Sequence, residues 1–104
     1  MKFYFSGLLQ ELIECALRGH KDDICCIMSK LTSESDFATT RYVDFALSLV
    51  ETPEGFTQIK FFLFNGTLIQ RNYACLYFNR LGEREIVIEA YKLGLIDEIQ
   101  AFAR

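Results

Sequence analysis

Three short turns recur along this chain at a nearly constant interval, and each lies between stretches with the apolar rhythm of an amphipathic helix. Arg18-Gly19-His20, Glu51-Thr52-Pro53 and Leu81-Gly82-Glu83 are centred 33 and 30 residues apart. A period in this range belongs to stacked helical hairpins, in which each unit has an apolar face that only its neighbour can cover. The expectation is an all-α fold of three to four stacked helical hairpins forming a short solenoid, a single helical-repeat domain over residues 1–104. Such a stack buries a continuous core between units and leaves one extended face for a partner.

The helices themselves follow from residue spacing. Leu8, Leu9, Leu12, Ile13, Ala16 and Leu17 mark one face of a first helix, with Ser6 as its cap and Gly19 as a left-handed stop. Asp22 and Asp23 suit the positive end of a second helix, whose core candidates are Ile24, Cys25, Ile27, Met28 and Leu31. Thr32 to Asp36 is the longest polar stretch, and Ser33 with Asp36 reads as a capping box for a third helix. Tyr42, Val43, Phe45, Ala46, Leu49 and Val50 form the apolar stripe of that helix, which ends before Pro53. A fourth starts at Pro53 and closes at Asn65-Gly66, although Phe61 to Phe64 alone also fits a short buried strand. Thr67 caps a fifth helix and Glu83 opens a sixth; a last short helix from Asp97 turns Ile99 and Phe102 inward. The polar residues Asp97, Glu98, Gln100 and Arg104 suit that last helix to cap a stack.

Composition narrows the function. A hydrophobic fraction of 51% with ten Phe and five Tyr excludes a disordered chain. A formal net charge of −3 argues against nucleic acid, which needs a basic face. No apolar run reaches the roughly 18 residues that span a bilayer, so a membrane role is not expected. Cys15, Cys25, Cys26 and Cys75 contain no C-x-x-C pair, and His20 is the only histidine. A zinc site therefore lacks its usual spacing. Buried, reduced, metal-free thiols are expected, in a reducing compartment such as the cytoplasm. Adjacent Cys25 and Cys26 point about 100° apart on a helix and cannot share one compact site. Cys15 and His20 are the one nearby thiol–imidazole pair, five residues apart across a helix end, a spacing that does not by itself read as a catalytic dyad. No Gly-rich phosphate loop is present. The chain is expected to be no enzyme and to hold no cofactor.

The segment Gly82-Glu83-Arg84-Glu85-Ile86-Val87-Ile88-Glu89-Ala90-Tyr91-Lys92-Leu93-Gly94-Leu95-Ile96-Asp97 resembles the second half of an ankyrin repeat, with Asp97 one place late. That family shows a Gly, a Glu-Ile-Val core three residues later, a helix, and a second Gly twelve residues after the first. Ala16-Leu17-Arg18-Gly19-His20 resembles the same turn, where the family's histidine bonds loop backbone. The family's Thr-Pro-Leu-His opening is reduced to Asn65-Gly66-Thr67-Leu68, and Thr52-Pro53 stands where a Gly belongs, so the array is degenerate; HEAT-like or other αα hairpins fit nearly as well.

The resemblance implies a protein–protein interaction module in which the first helix of each hairpin, here 6–18, 37–51 and 67–81, lines a concave face. Arg41, Asp44, Ser48, Arg71, Tyr77 and Arg80 are the candidate partner-binding residues on that face. Degenerate ankyrin-like arrays occur in bacterial and viral proteins that act inside host cells, which makes a host protein one expected class of partner. The alternative is a self-associating structural or assembly domain, pairing with a second copy as a homo-oligomer or packing on the rest of a longer protein. More aromatic rings are present than three thin hairpins can bury, so some are expected on an exposed contact patch.

Overall fold

Every turn proposed from the sequence falls between two helices in the computed structural model, which describes residues 7–103. The helices are α1 (Gly7–Arg18), α2 (Lys21–Ser29), α3 (Phe37–Ser48), α4 (Pro53–Asn65), α5 (Leu68–Leu81), α6 (Arg84–Lys92) and α7 (Glu98–Phe102). No strand occurs among the described residues, and Phe61 to Phe64 lie in α4. The proposed Ser6 cap falls outside the described residues, as do Tyr4, Phe5 and Arg104. The chain divides within α4 into two units, Met1–Gln58 and Ile59–Arg104.

In the first unit α1, α2 and α3 pack against one another in pairs. Leu12, Ile24, Ile27, Met28 and Val43 are fully buried between them. Gly19 joins α1 to α2 at φ 66°, a left-handed conformation that a side chain would strain. It is also crowded, since a Cβ there would lie 2.4 Å from Thr52 Oγ1. The Thr52 hydroxyl donates to the Gly19 carbonyl at 2.7 Å and accepts from the Gly55 N–H at 2.9 Å. The start of α4 is thereby fastened to the first turn. Two further contacts repeat the same offset of 33 residues: Lys21 N–H donates to Glu54 Oε2, and Gln58 Nε2 donates to Cys25 Sγ.

Helix α2 begins with a reciprocal arrangement in which the His20 N–H donates to Asp23 Oδ2 at 3.2 Å. Burial works against ionisation of Asp23, but Arg18, 2.9 Å away, and the His20 N–H outweigh it and hold the carboxyl below its ordinary range. Asp36, rather than Ser33, caps α3 by accepting from the Thr39 N–H at 2.8 Å. Ser35 instead closes the preceding loop, accepting from Thr32 N–H and donating to the Lys30 carbonyl.

The second unit packs α5, α6 and α7 in pairs. Thr67 and Gln70 form the capping box of α5, with Thr67 N–H donating to Gln70 Oε1 at 2.9 Å. Gly82 ends α5 at φ 78° in open space. Phe78, Cys75, Ala74, Val87 and Ala90 are fully buried. Asn79 is buried as well, and its Nδ2 donates to the Gln100 and Ala103 carbonyls at 3.1 and 2.7 Å. Arg84 bonds Asn79 Oδ1 and, at 2.9 Å, the Ala101 carbonyl, so two side chains hold the end of α7. These bonds satisfy terminal carbonyls that a helix leaves open.

Several apolar residues expected inside lie outside. Leu17, Ile99 and Phe102 are all exposed, the least of them at 64%. In α7 the inward position belongs to Ala101, while Arg84 covers one side of the Phe102 ring at 5.0 Å. Helix α7 therefore presents apolar as well as polar groups.

Candidate functional site

The six residues proposed for partner binding divide by helix. On α3, Arg41 and Ser48 are exposed and Asp44 is half-buried, so the proposed stripe does reach the surface there. The Ser48 hydroxyl donates back to the Phe45 carbonyl at 2.5 Å, and Asp44 is engaged within the chain.

On α5 the expectation is corrected. Tyr77 is only 6% exposed, stacks edge-on with Phe78 at 5.1 Å, and has its phenol pKa pushed up by burial. Arg71 is half-buried and turned inward: Nε donates to the Leu95 carbonyl at 2.7 Å and Nη1 to the Gly66 carbonyl at 3.0 Å. Arg80 is exposed but engaged. The α5 stripe is thus largely a part of the fold, because open carbonyls just beyond two helix ends lie within reach of the Arg71 guanidinium.

What α3 does offer is larger than the sequence proposed. Phe37 is 76% and Phe45 47% exposed, one helical turn to either side of Arg41. The Arg41 guanidinium sits 5.5 Å over the Phe37 ring, a cation–π contact that keeps the charge at the surface. With Leu9 of α1, Ala38 and Tyr42, these residues line an open cleft of about 530 Å³. The apolar pattern of the sequence places Phe45 in the buried stripe, and the structure places it outside. The signal for the outward position is its i, i+4, i+8 spacing with Phe37 and Arg41, which shares the face of a charged residue.

The thiols are all free, with Cys15 and Cys75 buried and Cys25 and Cys26 half-buried. Burial, then the neighbouring Cys26, pushes the Cys15 thiol up to about 11, and burial pushes Cys75 up to about 11 despite nearby Arg84 and Asn79. Both are protonated at neutral pH, and nucleophilic attack or metal ligation needs the thiolate. The His20 imidazole lies 3.5 Å from Glu54 Oε2; the Cys15 sulfur accepts from Arg18 at 3.5 Å. Among the described residues no group of three or more His, Cys, Asp or Glu side chains converges as a metal site would require. None of their helices is long and apolar enough to cross a membrane.

Compared with known protein families, characterised proteins and solved structures, the chain matches none. The surface chemistry of α3 is therefore the ground on which a function can be argued.

Proposed function

We propose that the chain is a protein-binding module with no chemistry of its own, an ankyrin-like array of helical hairpins that engages another protein through the outer face of α3. The exposure of Phe37 and Phe45 on either side of Arg41 carries this reading. Aromatic rings and arginine are the residue types that concentrate binding energy in protein interfaces. Burying one phenylalanine side chain fully is worth about 1.5–3 kcal/mol, so two rings supply enough to anchor a contact. The repeat architecture is supported by the turn spacing and by the bonds that join residues 33 apart in the first unit. Free thiols at all four cysteines favour a reducing compartment, and the cytoplasm is the proposed location.

The test is affinity capture from cell lysate with the wild-type chain and with F37A/R41A/F45A. The triple variant should keep its helical circular dichroism and melting behaviour and lose the captured protein. Equal capture by both would overturn the α3 reading.

A further inference from the structure

A second exposed face matches the α3 face in length and is complementary in charge. On α6, Glu85, Ile88, Glu89 and Lys92 recur at i, i+3, i+4 and i+7, and with Leu93 they line an open cleft of about 380 Å³. Ile88 is 39% and Leu93 63% exposed, so an aliphatic strip runs along a face that carries the carboxylates of Glu85 and Glu89 and, at its C-terminal end, the ammonium of Lys92. Among the described residues neither Glu85 nor Glu89 is in a salt bridge, and Arg41 has only its own Phe37 ring for company. Phe37 to Phe45 covers about 12 Å of helix and Glu85 to Lys92 about 10 Å. Aromatic rings around one cation on α3 thus meet aliphatic side chains around two anions on α6. Lys92 stands one turn beyond Glu89, toward the rim, where a charge is solvated and costs little.

We infer that the α3 face of one copy docks on the α6 face of a second copy, with Arg41 between Glu85 and Glu89 and the two phenylalanines against Ile88 and Leu93. This rests on the reading of α3 as a contact surface and names its occupant. One helix-on-helix contact buries less than the roughly 1,200 Å² typical of stable specific interfaces, so the association is weak and depends on concentration. Each chain carries both faces, so every copy can both give and receive the contact.

Sedimentation equilibrium between about 10 µM and 1 mM, the range in which contacts of such strength are populated, tests the inference. Wild-type mass should rise with concentration. R41E should weaken association by about ten-fold or more, because like charges placed together in an interface are strongly unfavourable, and E85K/E89K should do the same. The combined chain R41E/E85K/E89K restores opposite signs and should associate again. An equimolar mixture of R41E with E85K/E89K should associate more than either alone. All four chains should show the same helical circular dichroism, since among the described residues none of the altered side chains makes a hydrogen bond or ion pair.

A wild-type chain that stays monomeric throughout would overturn the second copy as occupant; partner capture would still judge the α3 surface independently. Association unaffected by R41E, or not regained in the triple charge swap, would also overturn it.

Discussion

The two units of the chain join their packed helices in opposite ways. In the first, the turn is sealed and the helix face is left open: Gly19 is buried against Thr52, while Phe37, Arg41 and Phe45 stand out on α3. In the second, the turn is open and the helix is sealed: a Cβ at Gly82 would meet nothing within 4 Å, while Arg71, Tyr77 and Asn79 tie α5 into its surroundings. The difference shows what decides whether a polar group on a helix is available to a partner. Arg71 finds two open carbonyls, at Gly66 and Leu95, and is consumed by them. Among the described residues Arg41 finds the face of its own Phe37 ring. An arginine near an unsatisfied helix end becomes a structural cap, and one away from any becomes surface.

Replacements in the two units should separate these roles. The largest effect is expected at Tyr77→Ala, since removing a buried aromatic side chain costs about 3–5 kcal/mol; urea unfolding that shows a loss under about 1 kcal/mol, far below that range, would place the ring at the surface after all. Gly19→Ala should come next. Its left-handed backbone costs about 1–2 kcal/mol with a Cβ, and Thr52 must also turn away and give up its bonds to Gly19 and Gly55. Gly82→Ala should cost only the backbone part, so equal losses at the two glycines would break the contrast between a sealed and an open turn. Arg71→Ala removes two charge-assisted bonds and should cost about 1.5–3 kcal/mol, against a change within about 0.5 kcal/mol for Arg41→Ala. The smallest effect is expected for Phe37→Ala, which should leave thermal unfolding almost unchanged while weakening binding.

The division between what sequence can and cannot reveal follows the same physics. Turns at Gly19, Pro53 and Gly82, and the Thr67 cap, are legible because glycine, proline and capping side chains act on their own backbone within a few residues. The seven helices are legible for the same reason. Orientation is harder. Helix α5 has Leu68, Ile69, Tyr73, Ala74, Leu76, Tyr77, Phe78 and Leu81 distributed around its circumference, so periodicity cannot choose a buried side, and the expectation of a surface Tyr77 fails. In α3 the apolar stripe is wide enough to include Phe45, yet Val43, Ala46 and Leu47 fill the core and leave that ring outside. The roles of Arg71 and Asn79 depend on carbonyls 24 and 21 residues away, which no local pattern encodes. Of the candidate site, Arg41 is legible from its charge on a helix face; the two phenylalanines share that face at i−4 and i+4, a spacing that the wider apolar stripe of α3 obscures.

The central contrast, an open α3 against a sealed α5, can be measured without knowing any partner. Arylglyoxal modification of the dilute native chain, followed by mass spectrometry of the digested protein, gives the rate at each arginine separately. Arg41 should react at close to the rate of the unfolded chain, and Arg71 at least about ten-fold more slowly, because its guanidinium is released only when the fold opens locally. Equal rates at Arg41 and Arg71, or faster reaction at Arg71, would contradict the account.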